Sequence, residues 1–499
     1  MSEMIQVLQL GSKDWSLIYP LAGSVNWTYM ERVIEVPRTP YDLVFIDRGL
    51  YEEEIPLLQK ATKAYTLYVT SGIFMSSSMK EYFACKKGKF IQQDQVPNFL
   101  SHEIRNYFPK PYGEKFNFNN LAIAQGFQGS IEWNGHYSVT VEGEYGPELS
   151  QIAYWRNNIP IFEGQAIDFW LEYEKDETVE IALEITQFRG GSISEVQQKW
   201  HFSQQDLEQI VVADNQLPTG PVFISLLAKG QGRLKIVALH DRYSRRGHGL
   251  FLPGGERYVT SKREEIFYYF DPGDRKPPLN VFFSGYKTMQ GFEGYYMMRS
   301  MGTPFLLIAE PRLTGGCFYM GDEEYEEAYV NIIRGYMKEL GFTSKDVIMS
   351  GLSMGSFGAL YYGCDIRPDA IIVGKPLVSI GDVAQNERIH RPGGFPTSLD
   401  VLNYLGEGMD EEATERLNSK FWDKFDCADL GETKLIASYM IEDDYDTHAY
   451  TELLSHLKTS GVQIYGKGIH GRHNDATGEI VNWFRYQYKK ILFEDFNRS

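Results

Sequence analysis

Gly351, Ser353 and Gly355 form a G-x-S-x-G pattern within Asp346-Val-Ile-Met-Ser-Gly-Leu-Ser-Met-Gly-Ser-Phe-Gly-Ala-Leu360. A chain with 47 glycines produces such triplets by chance, so the flanks carry the weight. An apolar, strand-like run enters Gly351, and a helix-compatible segment bearing Gly358 and Ala359 leaves it. Strand, tight turn and helix in that order lift a serine hydroxyl clear of a sheet, and the small residues let the strand and helix backbones approach. The chemistry expected is nucleophilic acyl transfer by Ser353.

A serine hydroxyl is weakly nucleophilic at neutral pH and needs an imidazole base, which in turn needs an acceptor to hold its tautomer. In an α/β-hydrolase plan the chain order is serine, acid, histidine. His470 and His473 follow the last strand-like run, in Gly466-Lys-Gly-Ile-His-Gly-Arg-His-Asn-Asp475. His473 is preferred because it lies nearer the start of the next helix, for which Asn474 and Asp475 are candidate N-caps; His470 is the alternative base or a substrate contact. The acid should follow the penultimate strand, where Glu442-Asp-Asp-Tyr-Asp446 offers four carboxylates. Asp443 is the first choice, then Asp444 and Glu442, with loop register deciding between them.

The tetrahedral oxyanion would be met by the amide of Met354, the residue after the nucleophile, and by a second amide from Ser284-Gly-Tyr-Lys287, which follows the run Val281 to Phe283. Tyr286 and Lys287 both remain open as that donor.

Elements able to position these residues alternate along the carboxy-terminal half. Val281 to Phe283, Phe305 to Ala309, Val347 to Met349, Ala370 to Val373, Leu435 to Ile441 and Val462 to Tyr465 read as buried parallel strands, with Glu323 to Leu340 a helix among the connections. Residues 255–499 are therefore expected to form an α/β-hydrolase-like domain, with 376–434 as a cap. Residues 1–115 carry a smaller βα pattern, strands at Ile5 to Leu10, Leu43 to Asp47 and Tyr65 to Val69, without the G-x-G-x-x-G of a dinucleotide site. Residues 116–245 alternate polar and apolar between turn signals such as Asn134-Gly135, as a β-sandwich does. Its aromatics, Trp133, Tyr137, Tyr145, Tyr154, Trp155, Trp170 and Tyr173, fit a core or interface better than a sugar-binding face. Arg242-Tyr-Ser-Arg-Arg-Gly-His-Gly249 reads as a solvated basic linker.

With 499 residues, 43% of them apolar, the chain can bury more than one core. Its net charge of −18 repels phosphate backbones, which excludes nucleic acid as an expected partner. The four cysteines lack CxxC spacing and read as buried thiols of a reducing compartment. Met1 to Gly11 lacks the basic start of a signal peptide, and no apolar run approaches the roughly 20 residues of a membrane span, so a cytoplasmic protein without a transmembrane segment is expected.

A βα region, a central sandwich and a hydrolase-like domain bearing Gly-Leu-Ser353-Met-Gly, Ile-Glu-Asp443-Asp-Tyr-Asp and Gly-Ile-His-Gly-Arg-His473 together resemble, over the full chain, the second accessory secretory proteins of the Gram-positive accessory Sec system. That resemblance implies a cytoplasmic protein, peripheral at the translocon, that works with the other accessory secretory proteins and the accessory Sec motor ATPase in exporting serine-rich repeat glycoprotein adhesins. It also implies O-acetylation of N-acetylglucosamine on the adhesin glycans through a Ser-acid-His triad. No bound cofactor is called for. The acetyl donor, acetyl-coenzyme A among the possibilities, is left open, as are a carbohydrate esterase and a non-catalytic export scaffold as alternative functions.

Overall fold

Residues 4–35, 39–458 and 461–498 are described by a computed structural model of the chain; Met1 to Glu3 of the amino-terminal stretch lie outside them. Among the described residues the fold is mixed α/β with three sheets.

The amino-terminal sheet is five-stranded and parallel, in the order Val25–Met30, Ile5–Leu10, Leu43–Ile46, Leu67–Thr70, Lys89–Ile91. Leu43–Ile46 and Leu67–Thr70 are buried throughout, as expected of strands covered on both faces. The expected strands are present, while Val25–Met30 and Lys89–Ile91 add the edges.

The central unit is one nine-stranded, hydrogen-bonded sheet folded on itself. Two 24-residue strands, Ser138–Ile161 and Gly220–Tyr243, pair with each other and run through both layers. They bend together where Gly146 faces Gly230 and Gly143 faces Gly232. Gly230 and Gly232 have φ of 94° and 132°, backbone that a Cβ would strain. Beyond the bend, Val179–Phe188 continues one layer and Ala166–Lys175 the other. Ile181, Leu183, Ile224, Leu171, Leu234 and Ile236 meet in a shared core. Tyr145, Trp155, Trp170 and Tyr173 are buried, in keeping with the core or interface reading of the aromatics, whereas Trp133 is exposed. Trp170 lies at an interface, with the guanidinium groups of Arg257 and Arg263 each 4.1 Å from its ring.

The carboxy-terminal sheet has eight strands, in the order Glu256–Val259, Glu265–Asp271, Phe305–Ala309, Leu279–Phe283, Val347–Leu352, Ala370–Gly374, Lys434–Met440, Gln463–Ile469. The last six are parallel as expected. The first two, not anticipated from the sequence, pair antiparallel and make the sheet mixed. The helix over Glu323–Leu340 is present, N-capped by the Asp322 side chain. Residues 376–434 contain helices Ile380–Ile389, Thr397–Gly406 and Glu411–Cys427. Phe421 of the third packs on Phe357, 5.1 Å between ring centroids.

Two expectations fail here. The basic segment is only partly solvated: Arg246 is exposed, but Arg242 and Arg245 are 1% and 2% exposed. Arg242 forks onto Glu265 of the carboxy-terminal sheet, and Arg245 donates to the carbonyls of Asn106, Phe108 and Phe251. Guanidinium groups suit this junction because their planar donor array satisfies several acceptors converging from separate units. Cys85, Cys317 and Cys364 are buried, but Cys427, the last residue of its helix, is exposed.

Candidate active site

Ser353 stands between strand Val347–Leu352 and helix Met354–Ile366 with φ 53° and ψ −123°. A non-glycine residue in that region costs about 1–3 kcal/mol, sustained here by the packing on both sides of the turn. The flanking glycines are sterically required. A Cβ on Gly351 would lie 2.1 Å from the Gly355 carbonyl oxygen, and one on Gly355 would lie 2.1 Å from the Phe283 carbonyl oxygen.

The Ser353 hydroxyl lies 2.8 Å from Nε2 of His473. His473 Nδ1 lies 2.9 Å and 3.2 Å from the two carboxylate oxygens of Asp443. His473 and Asp443 are buried, at 2% and 7% exposure, while Ser353 keeps partial access. With the ring proton on Nδ1 and facing Asp443, Nε2 is left as the acceptor for the serine hydroxyl.

The remaining members of the acidic loop have other partners. Asp444 accepts from the backbone amide of His473 at 3.0 Å and pairs with Arg391 Nε at 3.0 Å. Glu442 is bound by Nδ1 of His470 at 2.9 Å and accepts from the Gly471 amide at 2.6 Å, and these bonds hold its carboxyl below the usual range. His470 is exposed in this pairing, and the base facing Ser353 is His473. Asp446 accepts from the amides of Val378 and Ser379; burial nevertheless pushes it up to about 7. The helix after His473 begins at Thr477 with Ala476 at its cap, so neither Asn474 nor Asp475 fills the expected capping role. Asp475 instead accepts from the Arg472 amide, and Asn474 donates to the Tyr445 hydroxyl.

Met354 opens its helix, where the first amides have no carbonyl a turn earlier to bind. Across from it, the Lys287 amide donates to the Gly315 carbonyl at 3.3 Å and the Gly285 amide to Glu293 at 2.8 Å. The Tyr286 ring meets Phe395 edge-on at 5.0 Å, and Phe395 stacks on Tyr445 at 5.8 Å. Tyr445 stacks on His473. A line of rings thus joins the two loops through the segment 376–434.

Sequence reasoning missed Tyr445, Phe395, Arg391 and Lys375. Lys375 has φ 52° at the end of strand Ala370–Gly374, and its ammonium donates to the Asp475 carbonyl and the Thr477 hydroxyl, tying down the loop that bears His473. Burial lowers its pKa. Position directly after a strand on the Ser353 side of the sheet was the available signal for Lys375; nothing local distinguished the other three.

Residues 5–498 match the family described as accessory Sec system GspB-transporter. An accessory Sec system protein of Streptococcus gordonii is 36% identical over 100% of both chains. The chain belongs to the accessory Sec system GspB-transporter family. A second member, from Staphylococcus aureus (strain NCTC 8325 / PS 47), is 37% identical over 100% of this chain and 98% of its own. Among solved structures, a chain of the Glycosylation Associate Protein (Gap123) complex from Streptococcus agalactiae superposes with a TM-score of 0.88 at 32% identity, covering 100% of both chains. Among the described residues, no helix of this family member is long and apolar enough to cross a membrane.

Proposed function

We propose that this chain is a serine-dependent O-acetyltransferase of α/β-hydrolase type that acts on N-acetylglucosamine of serine-rich repeat glycoproteins during their accessory Sec export. The observation that carries the reading is the continuous hydrogen-bonded line from Ser353 through His473 to Asp443, beginning at a strained turn. Strand order supports the hydrolase class: eight strands, the second antiparallel, with the serine after the fifth, the acid after the seventh and the histidine after the eighth.

In this reading Ser353 Oγ attacks the acetyl carbonyl of an activated ester or thioester, and His473 Nε2 takes its proton. Asp443 steadies the imidazolium, and the amides of Met354 and Tyr286 receive the oxyanion. Collapse expels the donor's leaving group, which takes the proton from His473, and acetyl remains on Ser353. A sugar hydroxyl then attacks that ester, His473 accepting its proton and returning it to Ser353 as the acetylated sugar leaves. Tyr286 is preferred over Lys287 because the latter's amide is engaged by Gly315. The donor, acetyl-coenzyme A included, is a substrate and not a resident group.

Family membership supports a place beside other accessory secretory proteins, the motor ATPase and the glycosylated adhesin, on the cytoplasmic side of the translocon. The relative in Streptococcus agalactiae comes from a complex, which supports stable partners here.

The deciding test incubates wild type and Ser353→Ala with an activated acetyl ester, with and without an N-acetylglucosamine-bearing glycopeptide, and follows products by mass spectrometry. Acetyl on Ser353 and acetyl mass on the glycopeptide are expected from wild type alone. Acyl-enzyme yielding only acetate would identify an esterase. Absence of acyl-enzyme would leave an export scaffold.

A further inference from the structure

A cavity of about 350 Å³ lies between the central unit and the Ser284–Gly291 loop. Its position relative to the serine is set by shared walls. Gly285, Thr314 and Gly315 line it. Gly315 packs against the Tyr286 ring, the adjacent Gly316 lies against the Met354 side chain, and a Cβ on Gly285 would lie 3.2 Å from the carbonyl oxygen of Leu352, so this wall adjoins the turn that bears Ser353. The loop is also fastened to the central unit. Glu114 bridges to Met289, the Gln290 amide donates to the Gly113 carbonyl, and Gln290 Oε1 accepts from Arg242. The cavity is therefore a built feature of the junction between the central unit and the catalytic sheet, not a gap between loosely apposed bodies.

Its lining identifies the class of ligand. Asn117, Asn120 and Asn157 from the central unit line it together with Lys287, Thr288 and Thr314 from the other side. Amides and hydroxyls that both donate and accept suit an uncharged ligand bearing many hydroxyls. The charged lining residues, Glu114 and Glu310 against Lys115 and Lys287, balance in formal sign and form no cationic cluster of the kind a phosphate-bearing donor requires. A volume near the lower end of the range for small-molecule sites, roughly 300–1,000 Å³, suits one or two sugar rings better than a nucleotide-linked thioester.

We infer that this cavity is the docking subsite for the sugar acceptor, with the central unit supplying its asparagines. The inference rests on the acyltransferase reading above, because it assigns the second substrate of that reaction a place. In it, the central unit acts as the specificity wall of the active site: it holds the glycan while the Ser284–Lys287 loop, stapled to it, carries the oxyanion donor.

The test uses the full chain carrying Ser353→Ala, so that binding is measured without turnover, and titrates an N-acetylglucosamine-bearing glycopeptide by calorimetry. Two further substitutions are placed separately on that background. Asn157→Leu removes an amide from the wall, and Thr288→Trp fills the cavity from its exposed rim, where a change of side chain leaves the core alone. Each variant's thermal melt verifies folding. Saturable binding that each substitution weakens at least tenfold is expected. No glycopeptide binding by the Ser353→Ala chain, or binding that neither substitution alters, would overturn the subsite. So would an unchanged glycopeptide affinity in the Thr288→Trp chain. Failure of the catalytic reading is seen separately, as absence of acyl-enzyme in the chain with Ser353 intact.

Discussion

Tyr445 and His473 lie face to face, their rings 4.2 Å apart and 12° from parallel. Tyr445 also donates its amide to Asp443 at 2.9 Å, so one residue holds both the imidazole plane and the carboxylate that orients it. On its other face the Arg391 guanidinium sits 3.5 Å from the ring centroid. Tyr445→Ala should lower kcat about 10- to 100-fold with little change in KM, since a catalytic group displaced by about 1 Å loses rate on that scale. Tyr445→Phe, which keeps the ring and its amide, should restore most of it. Equal losses in both variants would show that the Asn474 contact to the hydroxyl matters and the stack does not.

Asp443 and Asp444 of the acidic loop have different partners. Asp443→Asn keeps the shape but supplies no carboxylate to the His473 tautomer, and kcat for acetyl release should fall by about 10³- to 10⁴-fold. Asp444→Asn alters only the pairing with Arg391 and the His473 amide and should cost much less. Steady-state kinetics of both variants checks this, and a larger loss at Asp444 would reverse the assignment.

At the turn, Gly355→Ala should destabilise the fold by about 1–3 kcal/mol, because the strand carbonyl of Phe283 occupies the place of the new methyl group. Chemical denaturation measures it. An unchanged midpoint would mean that strand and helix separate freely.

Asp446 makes stability depend on pH. Burial pushes its carboxyl up to about 7, against about 3.9 in an unfolded chain. Between those values the folded state holds a proton that the unfolded state has released, so stability falls as pH rises through the window. Asp446→Asn keeps an oxygen acceptor for Val378 and Ser379 and does not titrate. Relative to wild type it should melt progressively higher from pH 4.5 to 8; a constant difference between the two proteins would refute the linkage.

Arg242 and Glu265 form a buried, forked ion pair between the central unit and the carboxy-terminal sheet. Burial alone would raise Glu265, but Arg242, by charge and hydrogen bond, and then Arg257 outweigh it and bring it to about 2. Its contribution is therefore present above the ordinary carboxylate range and lost as pH falls toward 2. Arg242→Met leaves that carboxylate with Arg257 and should cost about 3–5 kcal/mol at neutral pH, read from denaturant midpoints. A loss below about 1 kcal/mol would place the pair among weak surface contacts.

Much of the geometry around Ser353 was legible because it depends on short-range rules. Gly351 and Gly355 around Ser353 mark a close strand-to-helix turn, and the apolar runs Phe305–Ala309 and Val347–Leu352 are long enough and buried enough to declare themselves as parallel strands. The chain order of serine, acidic loop and histidine follows from that strand sequence. Glu256–Val259 was not legible, since an exposed edge strand pairing on one side only has no continuous apolar pattern.

What only the tertiary structure decided is which of several chemically equivalent groups arrives. Glu442, Asp443, Asp444 and Asp446 share one loop and one charge, and a single step in register sends them to His470, His473, Arg391 and the Val378 amide in turn. Arg242 and Arg245 look like solvated charges in the sequence because their acceptors, Glu265 and the carbonyls of Asn106 and Phe108, are contributed by distant segments. Local pattern determined which elements form and where the strand-to-helix turn at Ser353 sits. Long-range packing selected partners, because burial and hydrogen-bond satisfaction are properties of the assembled chain.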